Sequence, residues 1–100
     1  RGMTDRTGNQ ILLEAGSRER GLRHIIGRHL TGNIRGGYTT FFPEWMKVSD
    51  IMDVVANTVQ NGTRTFDRGN WVYSWAHESL GEIRVIVDQL GRVISGFPVE

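Results

Sequence analysis

The stretch WVYSWAHESLGEIRVIVDQLGRVISGF, residues 71–97, carries the two-residue hydrophobic period that is typical of β-strands. Large aromatic side chains alternate with smaller ones over residues 71–77, and aliphatic side chains alternate in the same way over residues 83–87. A third β-prone run, residues 93–97, ends before Pro98. The turn-forming segments are residues 67–70, 79–81 and 88–91. The pattern predicts an antiparallel meander of three or four strands.

The hydrophobic period changes to that of helices in the residues before this meander. The clearest apolar stripe consists of Ile51, Met52, Val55 and Val59. We expect Ser49 to cap the N-terminus of this helix and Asn61-Gly62 to end it.

An earlier helix is predicted from about Arg18 to Leu30, after a break at residues 16–17, with Ser17 as its cap. Its apolar stripe consists of Leu22, Ile25, Ile26 and Leu30. His29 falls on this stripe, whereas His24 and Arg28 point roughly the opposite way.

Helices followed by antiparallel strands indicate an α+β fold, with N-terminal helices packed on a three- to four-stranded antiparallel sheet. Residues 1–100 are expected to form a single domain, with residues 1–9 as a flexible lead-in. Residues 10–15 read equally well as helix or strand, and residues 39–42 as a short β-prone segment. Trp45 is predicted to be a core anchor. Because the first residue is Arg1 rather than Met, we expect the chain to be part of a longer protein.

Composition excludes several classes of site. The chain contains no cysteine, which excludes disulfides, thiolate metal sites and a cysteine nucleophile. No apolar run approaches the roughly 20 residues that a membrane span needs. Zinc sites on helices commonly use histidines four residues apart, but His24 and His29 are five apart with no carboxylate at ligand spacing. We therefore expect neither a metal site nor a cofactor.

Charge is distributed unevenly along the chain. The net charge is only +1, yet residues 1–35 contain seven arginines and three carboxylates, a balance of +4. Eleven of the twelve basic residues are arginine, whose guanidinium group matches the geometry of phosphate. A basic face that only contacts solvent is the alternative interpretation.

The residue types permit one kind of metal-free chemistry. Two imidazoles can accept and donate protons near neutral pH, and arginines can stabilise a crowded phosphate. RNA cleavage by its own 2′-hydroxyl requires those two proton transfers and no protein nucleophile. His24 and His29, with Arg28 or Arg35, could supply these groups. The structural alternative is one core histidine and one surface histidine.

Three strings of sequence resemble a known family. They are RHIIGRHL at residues 23–30, TTFFPEWMKVSDIMDVV at residues 39–55 and EIRVIVDQLGRVISGFP at residues 82–98. In this order they are similar to the C-terminal toxin domains of bacterial contact-dependent inhibition and polymorphic toxin systems. The resemblance is to EndoU-type and RNase A-like nucleases, within the wider barnase/EndoU/colicin/RelE ribonuclease group.

The resemblance implies roles for particular residues. His24 and His29 match the family's histidine pair, and Ser95 takes the place of a threonine in the last strand; these three are the predicted catalytic residues. The predicted substrate-binding residues are Arg28, Arg35, Thr40, Arg84 and Phe97. Thr39, Thr40 and Phe42 match the segment that leads into the helix.

Two departures from the family pattern concern Lys47 and Phe97. The family's catalytic lysine has no counterpart at its usual place, because the only lysine is Lys47, and Arg35 is the candidate substitute. Phe97 stands where the family has tyrosine and therefore lacks the hydroxyl group. EndoU proteins also space their histidines more widely.

The resemblance further implies a metal-independent endoribonuclease toxin used in interbacterial competition. Its expected substrate is RNA, often tRNA, and its expected protein partner is a cognate immunity protein. It would be secreted, or delivered from the cell surface as part of a larger protein, and would act in the cytoplasm of the target bacterium. No membrane anchor is expected in this chain.

Several interpretations stay open at the level of sequence. Ser95 could contact the scissile phosphate or lie buried under a helix, and Arg84 could bind phosphate or lie at a sheet edge. The aromatic residues Trp71, Tyr73 and Trp75 could stack on bases or pack in the core. His77 is a spare catalytic candidate or a surface residue. A noncatalytic RNA- or protein-binding module is the main alternative function, and a DNA-directed nuclease is a weaker one.

Overall fold

The computed structural model describes residues 1–36 and 39–100. It has the expected α+β architecture, with two helices packed on a four-stranded antiparallel sheet and a small two-stranded sheet beside it. The strands are β1 (Gly2–Thr4), β2 (Gln10–Leu12), β3 (Thr63–Asp67), β4 (Asn70–His77), β5 (Gly81–Val87) and β6 (Val93–Pro98). The helices are α1 (Leu22–His29) and α2 (Val48–Asn61). Neither helix is long and apolar enough to cross a membrane.

The large sheet is the predicted meander with a fourth strand at its start. Its strand order is β3-β4-β5-β6, and each strand pairs antiparallel with the next. The three predicted turns join these strands. In the first turn Arg68 and Gly69 both have positive φ angles of 53° and 85°, as a tight two-residue hairpin requires. Local turn chemistry therefore accounts for the register of the hairpin formed by β3 and β4.

One face of the sheet is covered by α2. Ile51, Val55 and Val59 of α2 and Val85 of β5 are all fully buried. A side chain at Gly96 of β6 would lie against this same layer, because its Cβ would meet Val55, Val85 and Ile25. Since strand residues alternate between faces, the neighbours of Val85 and Gly96 point to the opposite face.

The aromatic stripe of β4 belongs in part to the core, because Tyr73 is buried and Trp71 packs against the core. Tyr73 pairs with Val85, shares its face of the sheet and is buried. Trp71 and Trp75 lie two residues to either side and so share this face. Trp71 is covered by the guanidinium group of Arg64, 3.8 Å from its ring centre. These contacts favour packing over base stacking for this stripe.

Helix α1 starts later than the sequence predicts and lies along the edge strand β6. Gly21, with φ of 81°, is its N-cap, and Ser17 instead accepts a hydrogen bond from the backbone N–H of Glu19. Gly16 also has positive φ, and a Cβ there would lie 2.1 Å from the carbonyl oxygen of Arg20. The predicted first turn, residues 18–21, is therefore a compact bend closed by backbone contacts that admit only glycine.

The prediction that residues 1–9 form a flexible lead-in is wrong. β1 pairs with β2, and Met3 and Asp5 are buried. A tertiary contact accounts for the order of this segment, because the Tyr73 hydroxyl, 68 residues away in sequence, donates a 2.5 Å hydrogen bond to Asp5. A composition typical of loops carries no information about such a contact.

The segment between the helices also differs from the prediction. Residues 39–42 form no strand, and Phe42 is instead buried with its N–H donating to the carbonyl of His29 at 2.7 Å. Trp45 is 71% exposed and is not a core anchor. Helix α2 is capped two residues earlier than expected, at Lys47 and not at Ser49, and the Lys47 N–H donates to the Asp50 carboxylate at 2.8 Å.

Candidate functional site

A cleft of about 790 Å³ lies where α1 and the loop after it meet the sheet face opposite α2. Arg84 pairs with Phe97, and Ile86 pairs with Ser95, so these four residues of β5 and β6 present one surface to the cleft. All eight predicted site residues line it: His24, His29, Ser95, Arg28, Arg35, Thr40, Arg84 and Phe97. Residues up to 73 positions apart in sequence are thereby brought into one concave surface.

His29 is held with one ring nitrogen fixed. The residue is only 6% exposed, and its Nδ1 lies 2.8 Å from the carbonyl oxygen of Thr40. Because a carbonyl only accepts hydrogen bonds, Nδ1 carries a proton, and in the neutral ring the lone pair is on Nε2. Burial lowers the pKa of His29 below its ordinary value, and the positive charges of Arg28 and His24 lower it further, against the opposing effect of the Thr40 hydrogen bond. The neutral form is therefore favoured near neutral pH.

His24 is held in the same way as His29. Its Nδ1 lies 2.7 Å from the carbonyl oxygen of Arg18, which leaves Nε2 for other partners. The ring centres of His24 and His29 are 6.3 Å apart, with an angle of 77° between the ring planes. The helical wheel turns His24 away from His29. Both rings nevertheless line the same cleft, one from the first turn of α1 and the other from its last residue.

The last strand brings an aromatic ring and a hydroxyl to this pair. Phe97 stacks on His29 with 5.2 Å between ring centres and 27° between planes. Ser95, two residues earlier on the same face, is 6% exposed. Within the part of the chain that the structure describes, its hydroxyl has no hydrogen-bond partner. Ser95 is thus buried in the cleft wall with its polar atom uncommitted.

The cleft is strongly basic compared with the molecule as a whole. Four arginines and one glutamate line it, a formal balance of +3, whereas the whole chain carries +1. Arg84 is paired with Glu82, 2.9 Å away. Among the described residues Arg28 and Arg35 have no carboxylate partner. Unpaired guanidinium groups in a concave site attract anions, phosphates above all.

Thr40 links the two halves of the site. Its carbonyl oxygen accepts the hydrogen bond from His29 Nδ1, and its hydroxyl donates to the carbonyl of Pro98 at the end of β6. The sequence predicts Thr40 as a substrate-binding residue. In the structure its hydroxyl proton is committed to the protein, and its contacts position His29 against the strand that carries Phe97.

The cleft also contains residues that the sequence analysis did not single out. Arg18 and Glu19 form part of its rim, and Ile34, Ile86 and Val99 supply apolar wall. The sequence predicts residues 18 and 19 inside a helix, where neither would be expected to contact His24. The alternation of Ile86 with Val85 and Val87 was the one available signal that Ile86 lies on the opposite face.

Other sequence candidates lie outside the cleft. His77 sits at the end of β4, where its Nδ1 accepts hydrogen bonds from the N–H groups of Ser79 and Leu80. Phe42 is in the core, and the Lys47 N–H caps α2. Among the described residues no group of three histidine or carboxylate side chains is arranged to hold a metal ion. A scan against models of known protein families finds no match to this chain, and a search of curated proteins finds no significant relative.

Proposed function

We propose that this chain is an endoribonuclease that cleaves RNA through attack of a 2′-hydroxyl on the adjacent phosphate, with no metal ion in the reaction. The observation that carries the proposal is the histidine pair. Two imidazoles face one arginine-lined cleft, and each has its Nδ1 bound to a backbone carbonyl and its Nε2 left for a reacting proton. General acid–base catalysis requires groups held in this way.

His29 is the general base in this proposal. Its buried, neutral ring accepts the proton of the 2′-hydroxyl at Nε2 while the 2′-oxygen forms a bond to phosphorus. The carbonyl of Thr40 stabilises the resulting imidazolium through the Nδ1 hydrogen bond, and stacking on Phe97 keeps the ring plane fixed.

His24 is the general acid. Its ring is less buried than that of His29. It donates a proton from Nε2 to the departing 5′-oxygen as the bond between that oxygen and phosphorus breaks. The products are a 2′,3′-cyclic phosphate and a 5′-hydroxyl, so atoms and protons balance without a further reactant.

The remaining cleft residues act on the phosphate. Arg28 and Arg35 supply positive charge where negative charge accumulates on the phosphoryl oxygens in the transition state. The Ser95 hydroxyl donates a hydrogen bond to one of those oxygens. Arg84 binds a phosphate of the substrate strand. The Phe97 ring orients His29 by stacking on it, a role that needs no tyrosine hydroxyl.

The biological setting that we propose follows from the resemblance to polymorphic toxins. The chain acts as a toxin against neighbouring bacteria, delivered as part of a larger secreted or surface protein, with cellular RNA, tRNA above all, as substrate. A cognate immunity protein covers the basic cleft in the producing cell. The charge of the cleft supports an acidic surface on that partner.

The direct test is incubation of the purified chain with total tRNA in excess EDTA. We expect endonucleolytic cleavage of RNA and none of double-stranded DNA of similar length. Salt-sensitive binding without cleavage would instead support a noncatalytic RNA-binding module, and it would contradict the proposal. Cleavage that appears only after a divalent metal ion is added would contradict it as well.

A further inference from the structure

A second groove, of about 370 Å³, adjoins the cleft and shares two arginines with it. We call it the Phe41 groove; Phe41, Gly32 and Gly36 line it together with Arg28 and Arg35, which also line the cleft. The two concave surfaces therefore meet at the guanidinium groups. A polymer that occupies the cleft has a direct path into the groove.

Two glycines keep this groove open. Gly32 has φ of +77°, and the place of its absent Cβ is 3.4 Å from the Phe41 ring. At Gly36 a Cβ would lie 1.4 Å from Nη1 of Arg28, so the guanidinium group rests on bare backbone. Any side chain at Gly36 would displace Arg28 and narrow the junction between groove and cleft.

Phe41 presents a large aromatic surface to this groove. Its side chain is 52% exposed, whereas the next residue, Phe42, is buried in the core. The same segment thus contributes one phenylalanine to stability and holds the other at the surface beside two cations. Among the described residues those cations, Arg28 and Arg35, have no carboxylate partner.

An aromatic ring beside guanidinium groups matches the two chemical parts of a nucleotide. The ring offers a π-face on which a base of any identity can stack, and the guanidinium groups offer forked donors for its phosphate. An acidic peptide would satisfy the arginines but would leave the ring without a planar partner. The observations therefore favour a single-stranded nucleic acid.

We propose that the Phe41 groove binds the nucleotide just beyond the two that flank the scissile phosphate, with its base stacked on Phe41 and its linking phosphate beside Arg28 and Arg35, which line both the cleft and the groove. This inference rests on the proposed function and assigns it a substrate-binding subsite outside the cleft. Phe41 then contributes to affinity for RNA longer than a dinucleotide and has no part in the chemical step.

The test compares substrates of two lengths in Phe41→Ala and wild type. For a pentanucleotide RNA, kcat/KM should fall by about five- to a hundredfold, the range that loss of one base–aromatic stack produces. For a dinucleotide, which fills the cleft alone, kcat/KM should stay within about twofold of wild type. Phe41→Trp should retain or improve the activity on the pentanucleotide, because indole stacks at least as well as phenyl.

Phe66→Ala is the matched control. Phe66 is exposed to nearly the same extent, 53%, but lies on β3 against Trp71 and lines neither the cleft nor the groove. We expect no change for either substrate. An equal loss for Phe41→Ala and Phe66→Ala, or an equal loss of Phe41→Ala activity on both substrate lengths, would overturn the proposal.

A binding measurement separates this inference from the catalytic one. An all-deoxy pentanucleotide has no 2′-hydroxyl and cannot be cleaved by the proposed route, so its dissociation constant reports on binding without the chemical step. We expect Phe41→Ala to weaken binding by a similar factor and Phe66→Ala to leave it unchanged. If that pattern appears without any RNA cleavage, the ribonuclease proposal fails and the groove stands. If RNA is cleaved but Phe41→Ala binds like wild type, the groove fails and the ribonuclease proposal stands.

Discussion

His29 and Ser95 in the cleft are buried to a similar degree as Asp5 in the Asp5–Tyr73 pair, but the two regions differ in how their polar atoms are partnered. The Asp5 carboxylate accepts hydrogen bonds from backbone and side-chain groups of Thr7 and Asn9 and from the Tyr73 hydroxyl. In the cleft, by contrast, the Ser95 hydroxyl and the Nε2 atoms of the two histidines have no such partner among the residues that the structure describes. Complete pairing of buried polar groups stabilises a fold, whereas uncommitted donors and acceptors in a concave site serve a ligand.

The pKa values follow the same division. Burial alone would raise the pKa of Asp5, but the hydrogen bonds from Tyr73, Asn9 and Thr7 hold it below its ordinary value. Burial and the Asp5 hydrogen bond raise the pKa of Tyr73 to about 12. Both groups are thus locked in one protonation state at neutral pH. The pKa of His29, by contrast, is lowered, so that its neutral form is favoured at neutral pH and can act as a base.

The largest expected effect is the loss of the proposed base. His29→Ala should lower kcat/KM for RNA by about 10²- to 10⁴-fold, the usual contribution of a general acid or base. The circular-dichroism spectrum should stay native-like. His77→Ala removes the histidine outside the cleft and should leave kcat/KM unchanged, because that ring serves the hairpin turn. Full activity of His29→Ala would remove this residue from the mechanism.

A smaller effect, on stability alone, is expected in the other region. Asp5→Asn should lower the free energy of unfolding by about 2–3 kcal/mol, since it replaces a charged acceptor of several hydrogen bonds by an amide. Activity per folded molecule should be unchanged. The pKa of Asp5 is lower in the folded protein than in the unfolded chain. Its contribution to the free energy of unfolding is therefore fully present above the unfolded-state pKa and is lost as the pH falls toward the folded-state pKa. Urea unfolding of the wild type and of Asp5→Asn at neutral and acid pH measures the loss of stability and its pH dependence. An unchanged urea midpoint of Asp5→Asn at neutral pH would contradict the account.

The two regions also differ in how well the sequence alone predicts them. The strand period of residues 71–97 and the stripe of α2 are local signals, and the sheet and this helix follow from them. The histidine pair and arginines could be named from residue type and resemblance, and they do line one cleft. The place of Asp5 could not be predicted, because its partner Tyr73 is 68 residues away.

Backbone constraints account for most of the other differences. Residues 18–20 have ordinary helix propensity, but the carbonyl of Arg20 accepts a hydrogen bond from the Ser17 N–H and leaves no room for a Cβ at Gly16, so these residues form a bend and not a helical turn. Residues 39–42 are β-prone, yet Phe42 bonds to His29 and Thr40 to Pro98, so the segment joins α1 to β6 without forming a strand. The position of Thr40 behind His29 depends on these tertiary contacts.

The smallest expected effect is a shift in the pH profile. The acid limb of kcat/KM should lie below 6.5, the ordinary histidine pKa, because burial and then the charge of Arg28 lower the pKa of His29. Arg28→Gln removes that charge and should move the limb to higher pH, besides lowering kcat/KM through weaker phosphate binding. Arg23→Gln, an exposed change on the same helix that does not line the cleft, is the control. A limb that stays in place in Arg28→Gln, or moves equally in Arg23→Gln, would contradict the assignment of His29 as base.

The chemical ends of RNA cleaved in EDTA test the central claim most directly. A short RNA of defined sequence, incubated with the wild-type chain and with His24→Ala and His29→Ala, should be cut by the wild type alone at an appreciable rate. Mass spectrometry should then find a 2′,3′-cyclic phosphate on one fragment and a 5′-hydroxyl on the other. Fragments that end in a 3′-hydroxyl and a 5′-phosphate would contradict the paired-histidine mechanism, as would cleavage of equal rate by all three proteins.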